Sequence, residues 1–423
     1  MRATKNSGFE WIGEIPTSWE LYKGKYMFTQ RNLRGNTIEL QLLSPTQKYG
    51  VVPQSVYEDR SGMNAVKLNE NANLSALKTI HKGDFCISLR SFQGGFEYSE
   101  YEGVVSPAYQ VFYPVVKVAR GYYKYLFKDS GFIEKMNSYT MTLRDGKNIA
   151  FADFGNTYIP CPPVDEQQRI ADFLDVKCDE IDALTADIQT QIDTLEQYKR
   201  SVITETVTKG LNPNAEMKDS GIQWIGNMPA HWDVIRGKYI LRYMQKPVHE
   251  DDGVITCFRD GEVTLRSNRR EDGFTMSDKE IGYQGIDVGD LVVHGMDGFA
   301  GSIGISDSRG KASPVLNVLD TDQCKRYIMY YLRSMAYSDV FLALATGIRV
   351  RSCDLRWNKL ADLSYPVPPL DEQKAIVEHI DAVLAKADAV ISDKKAQLAT
   401  LDEYKKSLIF EYVTGKKEVP CND

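Results

Sequence analysis

The sequence lacks the cysteine and histidine patterns that mark metal sites and disulfide frameworks. Seven cysteines are scattered along 423 residues, and no C-x-x-C pair occurs among them. An odd number of unpatterned cysteines is typical of the reducing cytosol. The five histidines have no ligand spacing, and no H-E-x-x-H motif is present. These absences argue against a zinc ribbon, a dithiol motif and a zinc-protease site.

Long apolar runs are also missing. No stretch approaches the length of a membrane span, and the N-terminal MRATKNSGFE has no apolar signal segment. The chain is nevertheless 43% hydrophobic and 11% aromatic, which is enough for two or three domains with real cores. We therefore expect a globular, soluble, cytoplasmic protein that does not bind a membrane.

The net charge of −7 at first argues against a nucleic-acid partner, but the charge is unevenly distributed. Residues 1–163 carry a net charge of +4, and residues 211–366 carry −2. Residues 164–210 and 367–423 are short, yet they carry −6 and −3. Most of the acid therefore lies in two short segments, and the two long segments together are slightly basic.

No catalytic constellation is recognisable in the sequence. A G-x-x-x-x-G-K-[ST] phosphate loop is absent, and the glycine-rich GFAGSIG at 298–304 predicts a tight turn rather than a phosphate cradle. The CPPV and VPPL segments lack the Asn or Asp and the aromatic residue with which amino-methyltransferases hold a flipped base. A methyltransferase acting alone would also need a cofactor loop. We therefore expect a binding protein and not an enzyme.

The sequence instead contains a tandem duplication. The phrase WIG…P…W opens both halves, within residues 5–30 and 218–243, which share 11 identities in 26. A second match pairs residues 162–208 with 368–414, with 20 identities in 47 at a constant offset of 206. This period is too long for a solenoid repeat. The stretches between the matches hardly resemble each other. We call the part of each half that precedes the second match a head. The two heads therefore begin alike but differ over most of their length.

Each half ends in a predicted long helix. The Pro-Pro pair at 162–163 forces extended backbone, after which Asp165 offers an N-cap oxygen, as Asp371 does in the second copy. No Pro or Gly interrupts either segment until Gly210 and Gly415, which are suitable stops. About 44 residues at ~1.5 Å each predict a rod of ~65 Å.

Both predicted helices carry an apolar seam with coiled-coil spacing. Its positions alternate in steps of four and three from Ile170 to Val202 and from Ile376 to Leu408. Neither helix can bury this seam alone, so we expect the two helices to pair antiparallel about a pseudo-twofold axis. Further apolar residues lie beside the seam, and we predict that helices of a partner chain cover them. They are Phe173, Ile192, Ile203, Leu398, Ile409 and Phe410.

The heads offer polar side chains on glycine-containing loops. Arg suits guanine, Gln and Asn suit adenine, and Lys and Arg hold phosphates. Any one of them could equally belong to a solvated turn, but the loops around Arg144 and Arg351 occupy matching places in the two heads. The first head offers Arg90, Ser91, Gln93, Tyr98, Arg144, Lys147 and Asn148. The second offers Arg259, Arg266, Asn268, Arg269, Arg270, Arg349, Arg351 and Arg356.

Two motifs together resemble those of a known family. S-G-x-x-W-I-G-x-x-P-x-x-W opens each half and P-P-x-D-E-Q-x-x-I opens each helix, as in the specificity subunits of type I restriction-modification enzymes. The resemblance covers the whole chain. It implies an α+β fold with two target-recognition domains joined by two long antiparallel coiled-coil helices. The domains would be residues 1–163 and 211–369, the conserved spacer helices 164–210 and 370–416, and the tail 417–423.

The resemblance also implies a function and partners. Each head would read one half of a bipartite, asymmetric sequence in double-stranded DNA, and half-sites one turn apart, ~34–36 Å, would present the same DNA face to both heads. The helices would set the spacer and dock two methyltransferase (M) subunits, which motor-nuclease (R) subunits join. S-adenosylmethionine, ATP and magnesium would then belong to those partners, and this chain would bind no cofactor. A structural coiled-coil scaffold without base readout is the alternative, and a complex that only methylates is as compatible with the sequence as one that restricts.

Overall fold

The computed structural model of the chain describes residues 2–35, 40–65, 73–88, 95–139, 149–269, 281–344 and 355–420. The chain divides into two compact units. The first unit comprises Met1–Ile188 and Ala396–Asp423, and the second comprises Gln189–Lys395. Each unit therefore contains one head and a part of both long helices. The C-terminal segment of the chain belongs to the same unit as its N-terminus.

Short strands and short helices build the head of the first unit. Its strands are β1 (Thr4–Asn6), β2 (Glu14–Pro16), β3 (Glu20–Lys23), β4 (Phe28–Gln30), β5 (Leu43–Thr46), β6 (Gly50–Pro53), β7 (Lys78–Ile80), β8 (Phe85–Ile87), β9 (Phe96–Tyr98), β10 (Gly103–Val105), β11 (Gln110–Pro114) and β12 (Tyr158–Cys161). The helices are α1 (Gly24–Met27), α2 (Gln54–Ser61), α3 (Arg120–Leu126), α4 (Ser130–Ser138), α5 (Phe151–Asn156) and the long α6 (Val164–Lys209).

The core of the first head is aromatic. Its largest described sheet is antiparallel, with the strand order β4-β11-β8-β9. Phe85 and Phe112 stack at 5.4 Å between ring centroids, and Phe28 meets both rings edge-on. Aromatic side chains favour strands because they pack well on a pleated, half-buried surface. This cluster makes a firm base for the loops of the head.

The second head repeats this arrangement. Its strands are β13 (Met217–Asp219), β14 (Asn227–Pro229), β15 (Asp233–Arg236), β16 (Arg242–Met244), β17 (Ile255–Cys257), β18 (Val263–Leu265), β19 (Gln284–Ile286), β20 (Leu291–His294), β21 (Ile303–Ile305), β22 (Gly310–Ala312), β23 (Leu316–Asp320) and β24 (Ser364–Val367). The helices are α7 (Gly237–Ile240), α8 (Lys325–Tyr337), α9 (Val340–Ala343), α10 (Trp357–Asp362) and the long α11 (Leu370–Val413).

The two heads have the same sheet topology. The order β16-β23-β20-β21 in the second head is that of β4-β11-β8-β9 in the first, with each strand number advanced by twelve. The β3–β12 and β1–β2 pairs recur as β15–β24 and β13–β14. The middles of the two halves hardly match in sequence. The duplication therefore preserved the fold while the residues on it changed.

The long helices begin slightly earlier than the sequence predicts and end where it predicts. The carbonyl of Pro163 accepts from the N–H of Gln167 at 2.9 Å, so Asp165 lies within the first turn and is not the N-cap. The predicted stops are confirmed, because Gly210 and Gly415 adopt left-handed φ angles of 73° and 72° just after the two helices.

The helices run antiparallel within the second unit. Lys199 of α6 forms an ion pair of 2.6 Å with Asp388 of α11. Gln191, which precedes Lys199 on α6, accepts a hydrogen bond from Lys394, which follows Asp388 on α11. Rising residue numbers on one helix therefore pair with falling numbers on the other, as the fold prediction requires.

The first unit contains the same contact with the roles of the helices exchanged. Lys405 of α11 pairs with Asp182 of α6 at 2.6 Å. An offset of 206 converts this pair into the Lys199–Asp388 pair of the second unit. The predicted tandem repeat is therefore confirmed at the level of individual side chains.

Burial along the helices recurs every eleven residues. On α6 it follows Ile170, Ile181, Ile192 and Ile203, all of them buried. On α11 the equivalent positions are Ile376, Ala387, Leu398 and Ile409, of which Leu398 is half-buried and the others are buried. Eleven residues in three turns give about 3.67 residues per turn, which is closer to the 3.6 of an undistorted helix than the 3.5 of a heptad.

The predicted heptad seam is consequently wrong at about every second position. It places Leu184 and Tyr198 inside the seam, but these side chains are 47% and 52% exposed. Their counterparts Val390 and Tyr404 are 43% and 54% exposed. The inward-facing residue at these points lies one position further along the chain.

Candidate nucleic-acid interface

The glutamine of each DEQ motif joins a long helix to its head. The side-chain oxygen of the buried Gln167 accepts from the N–H of Ala119 at 2.9 Å, and its amide nitrogen donates to the first proline carbonyl of the motif at 2.8 Å. Gln373 makes the equivalent bonds in the second unit, with the N–H of Cys324 at 3.0 Å. The motif is therefore a structural joint, which explains its presence in both copies.

A second joint fixes the first turns of each long helix. The carboxylate of Asp175 accepts a hydrogen bond of 2.6 Å from the hydroxyl of Tyr125 on α3. The carboxylate of Asp381 accepts one of 2.5 Å from Tyr330 on α8. In each unit a neighbouring basic residue donates to the same carboxylate. The heads are thus held at a fixed angle to the helix that follows them.

The second head contains a cleft of about 670 Å³ next to the hairpin of β17 and β18. Three arginines that the sequence offers as DNA readers, Arg259, Arg266 and Arg269, all line it. Sequence reasoning missed four further polar lining residues, which come from a distant part of the chain or carry the opposite charge. These are Asp260, His294, Asp297 and Ser302.

Carboxylates orient two of the three arginines in this cleft. Arg259 pairs with Asp297 at 3.1 Å, and Arg269 pairs with Asp260 at 2.6 Å while its guanidinium lies over the ring of Phe258. The hydrogen bond to Asp260 raises the pKa of Arg269. Arg269 also donates to Glu262 at 3.1 Å, and because a guanidinium has five N–H donors, these carboxylates still leave others for the edge of a base.

His294 contributes a neutral donor to the cleft. Burial lowers the pKa of this imidazole, so it is uncharged at neutral pH. Its Nδ1 atom accepts from the N–H groups of Met296 and Asp297, at 3.2 and 2.9 Å. The proton of the neutral ring therefore lies on Nε2. The cleft combines arginine donors with an imidazole donor, which suits the acceptor atoms of a base pair in the major groove.

The other proposed readers have different surroundings. Asn268 donates to the hydroxyl of Thr264 at 2.9 Å, and the exposed Arg356 precedes α10. The prediction that Tyr98 lies on a loop is wrong, because it belongs to β9 and its half-buried ring packs against Phe85. Nine of the candidates lie outside the described residues: Arg90, Ser91, Gln93, Arg144, Lys147, Asn148, Arg270, Arg349 and Arg351.

Three residues that we expect a partner chain to cover are already buried. Ile192, Ile203 and Ile409 are only 5%, 2% and 8% exposed. The expectation that they are exposed is wrong, because the eleven-residue seam passes through all three and the ends of the helices pack into the cores of the heads. Phe173 lies 4.6 Å from the ring of Tyr412. Leu398 and Phe410 are half-buried, and the role of the six residues as partner contacts stays a prediction.

The face of each helix opposite the seam carries seven residues that are identical in the two copies, which we name the outer stripe. On α6 the outer stripe is Ala183, Asp187, Gln191, Thr194, Tyr198, Ser201 and Glu205. On α11 it is Ala389, Asp393, Gln397, Thr400, Tyr404, Ser407 and Glu411. All are exposed except Glu411 and Gln191, which are half-buried, and Gln191 also accepts the hydrogen bond from Lys394 of the other helix. Ala183, the first residue of the stripe, lies two residues beyond the seam residue Ile181, which places it about 200° around the helix axis from the seam.

The flanks of the outer stripe diverged. Between positions 183 and 205, every residue that belongs to neither the stripe nor the seam differs from its counterpart on α11. These are positions 184, 186, 189, 190, 193, 196, 197, 200, 202 and 204. Packing within the helix pair does not require exposed residues to stay identical. The pattern therefore indicates that the same surface is used twice.

The described ranges contain no candidate for a metal site or for a membrane-spanning helix. No group of three or more His, Cys, Asp or Glu side chains there could hold a metal ion. The GFAGSIG segment forms a 3-10 turn at Gly298–Ala300, as its glycines predict. No described helix combines the length and apolarity needed to cross a bilayer.

Comparisons with known proteins find the same kind of protein that the two motifs resemble. Residues 17–194 match the family model of the type I restriction modification DNA specificity domain. The MjaX specificity subunit of a type I restriction enzyme from Methanocaldococcus jannaschii is 25% identical over 273 residues, which is 62% of this chain and 59% of the relative. The MjaVIII specificity subunit of the same organism is 24% identical over 302 residues, 67% of this chain and 68% of the relative.

Solved structures share the fold along nearly the whole chain. The HsdS subunit from Thermoanaerobacter tengcongensis is 15% identical with a TM-score of 0.50, and the match covers 97% of this chain and all of that one. A chain from a structural study of type I R-M complex assembly and conformational transition is 14% identical with a TM-score of 0.67, over 95% and 99% of the two chains. The matched specificity domain and these relatives make the chain similar to the type I restriction-modification specificity subunits.

Proposed function

We propose that this chain reads a bipartite, asymmetric DNA sequence, with one half-site bound by each head. The observation that carries the proposal is that the two units share their structural joints but differ in the loops of their heads. The joints at Gln167 and Gln373 are the same in both units, whereas the loops that the heads present are different. A palindromic site would need two similar readers, so two dissimilar readers suit two dissimilar half-sites.

We further propose that the cleft with Arg259, Arg266 and Arg269 reads bases for the second head. Arginine binds O6 and N7 of guanine with two parallel hydrogen bonds, each such pair being worth about 1–3 kcal/mol of discrimination. The carboxylates of Asp260 and Asp297 support this role because they hold two of the guanidinium groups in fixed positions. Arg90, Ser91, Gln93, Arg144, Lys147 and Asn148 are the corresponding candidates in the first head.

The outer stripe supports the docking of two methyltransferase subunits. A surface that occurs once on each long helix suits two copies of one partner. It contains an exposed tyrosine in each copy, Tyr198 and Tyr404, and each helix also exposes an aliphatic residue beside the stripe, Leu184 or Val390. Exposed aromatic and aliphatic residues at the centre of a polar patch are typical of helix-docking surfaces.

In this proposal the chain is non-catalytic and acts in the cytoplasm. Binding of S-adenosylmethionine, ATP and magnesium belongs to the methyltransferase and motor-nuclease subunits. This chain selects the sequence and sets the distance between the two half-sites. A complex with or without the motor-nuclease subunits would use it in the same way.

Mapping of methylated adenines in genomic DNA tests the proposed function. The comparison is between cells that express the chain with its partner subunits and cells that lack only the chain. We expect one asymmetric motif, with two specified parts and a fixed unspecified gap, to lose methylation when the chain is absent. An unchanged methylation map, with the chain still assembled on its partners, would favour the scaffold alternative and contradict base readout.

A further inference from the structure

The GKY segment, residues 24–26 and 237–239, is identical in the two heads, and packing explains only its glycine. A Cβ atom on Gly24 would lie 2.6 Å from the carbonyl oxygen of Phe154. A Cβ atom on Gly237 would lie 2.3 Å from that of Leu360. Only glycine permits these approaches, so the glycine is required by the contact of α1 with α5 and of α7 with α10.

The lysine and the tyrosine of the segment point away from the core. Tyr26 is 64% exposed and Tyr239 is 73% exposed. The ammonium groups of Lys25 and Lys238, also exposed, lie 5.5 and 5.0 Å from the centroids of these rings. The fold therefore presents the same cation and phenol, held side by side, on each head.

Exposed positions elsewhere in the matched segment have diverged, apart from Lys5/Lys218 and Gly8/Gly221, whose glycines have left-handed φ angles of 80° and 70°. The pairs 6/219, 10/223, 14/227 and 18/231 all differ between the copies. Lys5 and Lys218 are identical, but each donates to a backbone carbonyl of its own WIG…W segment, which explains them structurally. Lys25 reaches Asn156 at 3.3 Å, which still leaves donors of its ammonium group for another acceptor. The retained Lys-Tyr pair thus requires an external ligand.

We infer that Lys25–Tyr26 and Lys238–Tyr239 form a duplicated contact for the phosphodiester backbone of DNA, an inference that rests on the proposed function. Lysine and tyrosine both donate hydrogen bonds to phosphate oxygens. The residue two positions before each lysine is also basic, Lys23 in one head and Arg236 in the other. The outer stripe, by contrast, has no basic residue, so the two retained surfaces fit different ligands.

A backbone contact explains why this pair is identical while the base-reading loops are different. Phosphates are the same at every base pair, so a residue that binds them carries no sequence information and does not change when the target changes. Residues that read bases must diverge when the two half-sites diverge. Identity on an exposed surface of otherwise diverged heads is the pattern expected of a sequence-independent contact.

Salt-dependent DNA binding by the complex with its methyltransferase subunits tests the inference. The double variant Lys25→Gln/Lys238→Gln is compared with Lys386→Gln/Lys395→Gln, which removes the same charge from exposed, diverged positions of α11. Affinity is measured for the mapped target duplex and for a random-sequence duplex at several salt concentrations. We expect the slope of log K against log salt to fall by about 1 per lysine for the first variant, equally for both duplexes, and to stay unchanged for the control.

Tyr26→Phe/Tyr239→Phe extends the test without a change of charge. It should weaken binding to both duplexes by a similar factor while the methylated motif stays the same. A wild-type slope in the lysine variant overturns the inference, and so does a loss of methyltransferase subunits from the complex, which would make the pair a protein contact. If the wild-type complex binds target and random DNA equally, the proposed function itself fails, which is a distinct result.

Discussion

Trp19 lies against Gly415, so closely that a Cβ atom on the glycine would be 3.0 Å from Cη2 of the indole and 2.4 Å from Cδ of Pro16. Gly415 follows the last turn of α11, and its neighbour Lys416 donates to two backbone carbonyls of the WIG segment. The two ends of the chain therefore meet in one structural unit. Trp19 thereby holds the start of the first head against the end of α11.

The first prediction is that Gly415→Ala destabilises the first unit. A left-handed φ costs a residue with a Cβ about 1–2 kcal/mol, and overpacking against Pro16 adds about 1–3 kcal/mol. Gly62→Ala is the matched control, because Gly62 has a similar φ of 66° but no atom within 4 Å of its Cβ position. Urea unfolding measures both variants. An equal decrease in the free energy of unfolding in the two variants would contradict the tight contact with Trp19.

The long helices could be read from the sequence because their determinants are local. The Pro-Pro pair, the acidic first turn and the glycine stops lie within the segment itself, and the predicted ends agree with α6 and α11 to within a few residues. Pairing of the helices followed from the apolar pattern. The ion pair between Lys199 and Asp388 could not be foreseen, because its two partners come from opposite halves of the chain.

The register of the seam was ambiguous for a physical reason. Positions 170, 174, 181, 188 and 195 belong both to the heptad pattern and to the observed eleven-residue pattern. The patterns differ only at the positions between them. There, the heptad pattern selected Leu184 and Tyr198 because their side chains are largely apolar, although both are exposed in the structure. An apolar residue on a helix does not reveal whether its own chain or another covers it.

The proposed base-reading surface was only partly predictable. Polar segments are recognisable by composition, so the sequence offers Arg259, Arg266 and Arg269 as candidate readers, and the structure places all three around one cleft. Asp297 and His294, which also line the cleft, could not be selected in this way, because His294 ends β20 and Asp297 follows it, far from the arginines in sequence. Tyr98 shows the opposite error, since one polar atom does not exclude a place in a strand.

The second prediction concerns the outer stripe. Tyr198→Asp should remove one methyltransferase subunit from the complex, and Tyr198→Asp/Tyr404→Asp should remove both. Truncation of a central interface tyrosine costs about 2 kcal/mol or more, roughly a 30-fold loss of affinity, and a new charge adds to this cost. Native mass spectrometry counts the subunits that remain.

Ala186→Asp/Ser392→Asp is the control for the outer stripe, because it adds charge at equivalent, exposed and diverged positions of the same helices. We expect this control to keep both methyltransferase subunits. Retention of both subunits by the double tyrosine variant would contradict the assignment of the stripe as the docking surface.

The third prediction is that Arg266→Gln changes the readout of one half-site only. Loss of a bidentate contact with a base costs about 1–3 kcal/mol of discrimination, or roughly 10- to 100-fold. Arg242→Gln removes the same charge outside the cleft, where Arg242 pairs with Asp320 and Asp322, and should leave the motif unchanged. Methylation mapping compares the variants. Relaxation in both half-sites, or in neither, would contradict base readout by the cleft.

The fourth prediction concerns pH and the ion pair of Arg309 with Asp252. Hydrogen bonds from Arg309 lower the pKa of Asp252 to about 2, whereas an unfolded aspartate has a pKa of about 3.9. The carboxylate therefore stabilises the fold above about pH 4, and this contribution is lost as the pH falls towards 2.

Arg309→Met should therefore lower the urea midpoint at pH 6 by more than at pH 3, because acid removes the contribution in the native chain too. Lys386→Met, at an exposed position of α11, should give a small difference that does not depend on pH. If Arg309→Met lowered the urea midpoint by a constant or growing amount as the pH fell, the stabilising role of the ion pair with Asp252 would be contradicted.

The most direct test of the central claim, that the helices set the gap while the heads select the bases, is to lengthen both helices and map the methylated motif. Repeating 22 residues after Thr190 and after Ala396, equivalent positions of α6 and α11, adds six helical turns and keeps the eleven-residue seam in register. It adds ~33 Å, close to one turn of DNA, whereas repeating 11 residues adds about half a turn. We predict that the longer insertion retains both half-sites with a gap about 10 base pairs wider, and that the shorter one abolishes methylation. A gap of the original width between the half-sites in either variant would contradict the claim that the helices set it.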